Sequence, residues 1–180
     1  MVAAAVRDLL VSTLGGIGME LDSKPCHASR TVMTQLIFPS DTNHHGTMFG
    51  GKVMEYIDKI AAIASMRHAR RAVVTASSDS LDFVAPIRLG EVIELVAYVT
   101  WTHNSSMEVV VNVHSENPLT GERRLTVTAF LTFVALDDAG KPERVLQAVP
   151  QTEEEKRLHS GAPGRYELRK QRRAQRRSPS

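Results

Sequence analysis

Between Met48 and Ala69 the chain runs for about six helical turns without a proline, dense in Met, Ile and Ala. A helix of that length has to bury an apolar stripe. At about 100° per residue, Val53, Ile57, Ile60, Ala61 and Ala64 share one arc, and Lys52, Glu55 and Lys59 lie opposite. Upstream, "RTVMTQLIF" (30–38) is rich in β-branched and large apolar residues and stops at Pro39, as a strand would. Downstream come four strand-like runs: "AVVTASSDSLDFV", "EVIELVAYVTWTH", "MEVVVNVHS" and "RLTVTAFLTFVAL". In the third, Met107, Val109, Val111 and Val113 alternate with Glu108, Asn112 and His114, a half-buried pattern that Val110 breaks. Turn chemistry separates the runs at "PIRLGE", "HNSS", "NPLTGE" and "DDAGK". One strand, one long helix and four strands on short connections predict an antiparallel sheet with the helix on one face, an α+β architecture.

The chain has 180 residues, 42% hydrophobic and 23% charged, enough for one domain with tails. The patterned part spans 29–150. Residues 1–28 are expected to be a flexible lead-in and 151–180 a charged tail. Asp8 interrupts the apolar start, no cleavage site follows, and the stretch is too short to cross a bilayer, so no signal or anchor is expected; Met19 is a plausible natural start. Cys26 stands alone, which excludes an intrachain disulfide and makes a cytoplasmic location the default. The net charge of +2 is local in origin. Seven Lys/Arg fall between Arg165 and Arg177 against Glu167, and the remainder is acidic, 15 basic residues against 19. A short solvated basic helix or frayed end after "HSGAPG" is the expected form of this tail. It lacks the interleaved aromatics of a nucleic-acid binder.

Asp58 lies at the margin of the apolar arc beside Met54, Ala61, Ala62 and Ser65, where partial desolvation would make its carboxylate a better base. Gly50 and Gly51 clear side chains from the helix mouth, where unpaired N–H groups and the helix dipole favour developing negative charge. Asn43, in the preceding loop, offers a further amide donor. His44 and His45 are expected to point apart, and with no HExxH or Cys/His cluster a metal site is disfavoured. No G-x-S-x-G is present, Cys26 falls in the lead-in, and "GGIGMEL" fails the dinucleotide fingerprint at Leu21.

The ordered motifs "PSDTNHHGTMFGGKVMEYIDKIAAIAS", "VVTASSDSLDFVAPIRLGE", "WTHNSSMEV", "SENPLTGER" and "FLTFVALDDAGKP" resemble the hotdog-fold acyl-CoA thioesterases, in particular single-domain bacterial acyl-CoA hydrolases related to the brain-type enzymes. The likeness runs from about Ser29 to about Leu158. It implies a curved antiparallel sheet wrapped around one long helix, at least a homodimer, and commonly a hexamer built as a trimer of dimers. It also implies Asp58 as general base or nucleophile, Asn43 as the second catalytic position, supplied by the other subunit, and the Gly51 N–H as the group that polarises the carbonyl. Coenzyme A contacts would fall on Thr75, Ala76 and Ser77 and on Asn104, Ser105 and Ser106, with coenzyme A as part of the substrate and no separate cofactor. Arg67, Arg70 and Arg71 are further candidates for phosphate. The competing expectations are a hotdog module that binds acyl-CoA without cleaving it and a hydratase, whose histidine-and-acid motif is missing here.

Overall fold

The computed structural model describes residues 22–177, with side chains to 175. Expectations about residues before Met19 and about "GGIGMEL" lie outside it. In chain order the elements are β1 (Ser23–Pro25), β2 (Thr31–Leu36), α1 (Gly50–Ala69), β3 (Ala72–Phe83), β4 (Val92–His103), β5 (Ser106–Glu116), β6 (Arg123–Leu136), β7 (Gln147–Val149) and α2 (Glu153–Arg177). A five-stranded, wholly antiparallel sheet has the order β2-β4-β5-β6-β3, so β3 is an edge. The architecture is the expected α+β hotdog arrangement, with α1 against the sheet's inner face. Val53, Ile57, Ile60, Ala61 and Ala64 are buried as the helical wheel predicts, and they meet Met107, Val109, Val111 and Val113 from β5. Each valine, isoleucine or methionine among them contributes about 1.5–3 kcal/mol by leaving water, and each alanine methyl about 0.8 kcal/mol.

Three expectations need correction. Cys26, placed in a flexible lead-in, is fully buried, and the preceding Ser23–Pro25 pairs in parallel with Gln147–Val149. Strands this short, one containing a proline, carry no alternation to read.

The tail is not a frayed end. α2 runs through "HSGAPG", with Pro163 inside the helix, and lies on the outer face of the sheet. It crosses the row formed by Trp101, Glu108, Thr132 and Ser77 on β4, β5, β6 and β3. The Tyr166 ring packs tilted against Trp101 and His103, Arg165 meets Glu108 and Phe130, and Arg169 reaches Asp79. Gly161 supplies room rather than a break, because a Cβ there would stand 2.8 Å from an Arg165 guanidinium nitrogen.

β5 is therefore not half-buried where α2 crosses it. Glu108 and Val110 are as covered as the valines of the opposite face.

Candidate active site

The mouth of α1 has no side-chain cap. Phe49 occupies the N-cap position in an extended conformation, no acidic residue lies in the first turn, and the N–H groups of Lys52 and Val53 both donate to the Phe49 carbonyl. The N–H groups of Gly50 and Gly51 find no acceptor among the described residues. A Cβ on Gly51 would meet nothing within 4 Å, so the protomer's own packing does not call for a glycine there. Beside the mouth opens a cleft of about 410 Å³ lined by Thr47, Met48, Gly50, Val53, Phe83 and Val84, among others. Phe49, Met54, Phe83 and Val84 leave large apolar surfaces exposed around it.

Two turns into α1, Asp58 Oδ1 accepts a hydrogen bond from Thr75 Oγ1 at 2.8 Å. Thr75 shares its row with Phe133 and Met107, whose side chains are in the core, so β3 delivers this hydroxyl to the helix side of the sheet. Among the described residues no bond engages Oδ2. Asp58 is exposed in the single chain. The helix margin therefore does not desolvate it as the sequence suggested, since the neighbouring Met54 turns outward.

Asn43 organises its own loop: its Oδ1 accepts from the His45 N–H at 2.9 Å and the Thr47 N–H at 3.4 Å, and Nδ2 donates to Thr47 Oγ1 at 3.1 Å. Within one chain its side chain makes no bond to Asp58. His44 and His45 do not point apart, their ring centroids being 3.8 Å from each other. Among the described residues no three His, Cys, Asp or Glu side chains are grouped to hold a metal ion.

The other candidates divide between the two faces of the sheet. Ser77 Oγ donates to Asp79 at 2.7 Å, and the Ala76 carbonyl accepts from Arg173 at 3.3 Å. Asn104, Ser105 and Ser106 form the β4–β5 turn, where Asn104 adopts φ 51° and Ser106 Oγ donates to the His103 carbonyl. Ser106 pairs with Val134, which pairs with Val74, so this turn and Thr75 lie at the same end of the sheet. The phosphate reading of the helix-end arginines is not supported for two of them: Arg67 donates to the Arg30 carbonyl and Thr31, and Arg71 pairs with Glu143. Sequence reasoning missed Asp79, a carboxylate 4% exposed that collects Ser77, Thr132, Arg169 and Arg172. An acid among "SSDS" gives no hint of burial when the helix covering it lies some 90 residues downstream.

No helix among the described residues is long and apolar enough to cross a membrane. The thioesterase superfamily model matches residues 45–122. An uncharacterized acyl-CoA thioester hydrolase of Bacillus subtilis is 53% identical over 151 residues, which is 84% of this chain and 88% of that one. An apo-hexameric acyl-CoA thioesterase superposes with a TM-score of 0.83 at 57% identity, covering 86% of this chain and 99% of its own. The acyl-CoA hydrolase of Staphylococcus aureus, solved with butyryl coenzyme A, coenzyme A and coenzyme A disulfide, gives 0.82 at 46% identity over 85% of this chain and 93% of that one. The same enzyme has been solved with alanine replacing an asparagine, an aspartate and a threonine spaced by 15 and 17 positions. Asn43, Asp58 and Thr75 stand at the same intervals. Shared fold, shared sequence over most of the chain and matching motif order together place it in one family: the chain belongs to the thioesterase superfamily, among the acyl-CoA thioester hydrolases of the hotdog fold.

Proposed function

We propose that this protein hydrolyses acyl-CoA thioesters to the free acid and coenzyme A at a site that two copies of the chain complete. The observation that carries the reading is the Asp58 carboxylate held by Thr75 at 2.8 Å, with its second oxygen open, on the helix whose uncapped mouth adjoins an apolar cleft. Asp58 Oδ2 takes a proton from water, the water oxygen attacks the thioester carbonyl, and the Gly51 N–H meets the oxyanion that forms. Collapse breaks the C–S bond and releases the CoA thiolate, which leaves without a dedicated general acid. Direct attack by Asp58, giving a mixed anhydride that water then opens, is the variant of this scheme; where water attacks the aspartyl carbonyl, a single turnover carries ¹⁸O from labelled water into the protein.

Asn43 enters as the second catalytic group from the partner copy, positioning the water or the carbonyl. Two features support such a pairing. β3 is a twelve-residue edge strand with an open hydrogen-bonding side, and the apolar side chains of Phe49, Met54, Phe83 and Val84 are exposed near it. A second copy over this surface would exclude water from Asp58. Thr75 then acts as a positioning residue for the carboxylate, while Ala76, Ser77 and Asn104 to Ser106 lie toward the coenzyme A moiety. The assembly would be a dimer at least, and a trimer of such dimers would match the chain number of the hexameric relative.

The test is thiol release from a series of acyl-CoA esters. Asp58→Ala should abolish it and Asn43→Ala reduce it strongly, with melting temperature and oligomeric state retained. Full turnover in Asp58→Ala would end the assignment. Calorimetric binding of the ester to unmodified protein without thiol release would make this a binding module instead.

A further inference from the structure

The hydrolytic scheme leaves unassigned the apolar cleft beside the mouth of α1. Its deeper wall is fixed, since Val53, Met48 and Ile87 are each no more than 6% exposed. Its backbone is already bonded within the chain. The Met48 N–H donates to the Ile87 carbonyl, Thr47 bridges to Arg88, and the N–H groups of Val84 and Ala85 donate to the Thr126 carbonyl at 2.9 and 3.4 Å. Among the described residues that line it, Thr47 alone has a polar side chain, and Asn43 engages that hydroxyl. Such a surface takes methylene groups readily and offers nothing to an amide that leaves water.

A thioester carbonyl carries an acyl arm and a pantetheine arm. With its oxygen at the Gly51 N–H, one of them begins beside Gly50, which lines the cleft. The pantetheine arm has amides along its length and the acyl arm is hydrocarbon, so the acyl arm is the one this lining accepts. At that same end stands Phe83. A Cβ on Gly50 would lie 3.5 Å from Cζ at the tip of the Phe83 ring, so the ring reaches over the residue next to the donor. Phe83 ends β3, pairs with Val127 and is 52% exposed, so its backbone is held while its ring is only half packed. The pairing surface runs over the exposed faces of Phe83 and Val84. A partner copy seated there closes the cleft from above and keeps water off a chain lying on this protomer's floor.

We propose that this cleft binds the acyl chain of the substrate and that Phe83 sets the chain's length, favouring short acyl groups by standing where a longer one must pass. The proposal rests on the thioesterase reading. Removing the ring lengthens the cleft, and enlarging it shortens the cleft.

The experiment measures kcat/KM for acetyl-, butyryl-, hexanoyl- and octanoyl-CoA on the full-length protein and on Phe83→Ala and Phe83→Trp, at protein concentrations where sedimentation shows the assembly intact. Each methylene that finds apolar wall should raise kcat/KM about fourfold. On the unmodified protein the gain should stop by hexanoyl-CoA. In Phe83→Ala it should run on to octanoyl-CoA, raising the octanoyl-to-butyryl ratio at least about tenfold. Phe83→Trp should lower the butyryl-to-acetyl ratio by about fourfold, the worth of one methylene. Ratios unchanged in both variants, or a loss shared equally by all the esters, would show that Phe83 serves only the pairing of copies and overturn the proposal. So would a gain that runs on to octanoyl-CoA with the phenyl ring in place. If the unmodified protein cleaves none of these esters, the thioesterase reading itself has failed, and this assignment with it.

Discussion

Arg165→Met should loosen the C-terminal helix from the sheet. Glu108 has a fully buried side chain, and Arg165 answers it with two bonds, Nε to Oε2 at 3.0 Å and Nη2 to Oε1 at 2.7 Å. The same guanidinium lies 4.3 Å from the Phe130 ring centroid and donates to the Leu158 carbonyl, so one side chain ties α2 to β5, to β6 and to itself. Removing one member of a buried pair costs about 3–5 kcal/mol, because the other is left charged in a poor solvent. Arg165 keeps 27% of its side chain exposed, and the Thr100 hydroxyl still donates to Glu108 at 2.8 Å, so about 2–3 kcal/mol is the reasonable expectation. For a chain of this size that lowers the melting temperature by about 5–10 °C. The melt should be read at fixed protomer concentration, since assembly also stabilises. Adding Glu108→Leu to Arg165→Met should restore most of the loss, because an apolar pair has no charge left to strand. A single-variant shift below about 2 °C would refute the idea that this pair fastens the helix. By the same geometry, cutting the chain at Arg165 uncovers Glu108, Asp79 and Phe130 together and would not leave the protein intact.

Thr75→Ala frees the carboxylate of Asp58 from its anchor at 2.8 Å, so kcat should fall about tenfold with little change in KM, while Thr75→Ser, which keeps the hydroxyl, should recover most of it; equal losses in both would point to packing instead. Burial pushes the Cys26 thiol up to about 12, so an aromatic disulfide reagent at pH 8 should not label it until denaturant is added, and rapid labelling of the native protein would contradict the packing of Ser23–Ser29. His68 is held below the ordinary imidazole range, chiefly by burial, with its Nε2–H donating to the Leu146 carbonyl at 2.9 Å and its Nδ1 unpaired. Its folded value being the lower one, the unfolded chain takes up the proton first as pH falls through about 6.5, so stability should decline from there downward. Urea unfolding between pH 7.5 and 5 should show a shallower slope in His68→Gln; an unchanged slope would mean His68 does not titrate in this range.

The sequence alone determined the elements whose signal is local and repeated. Helical spacing over Met48–Ala69 placed Val53, Ile57, Ile60, Ala61 and Ala64 in the core because one stripe must face the sheet, whatever the sheet's order. Turn residues at "NPLTGE" and "DDAGK" bounded long strands for the same reason. The two glycines at the mouth of α1 and the aspartate two turns on were legible as candidate chemistry, since a helix terminus has the same orphan donors in any fold. Only the tertiary structure decided what those groups meet. The bond from Thr75 to Asp58 depends on where β3 lies against the helix, and the exposure of Asp58 depends on what the chain does not itself cover. The basic tail shows the limit most clearly. Arg165, Arg169 and Arg172 read as a solvated charge run because their partners, Glu108 and Asp79, are 57 to 93 positions away, and a carboxylate's burial is a property of the surface laid over it rather than of its neighbours in the chain.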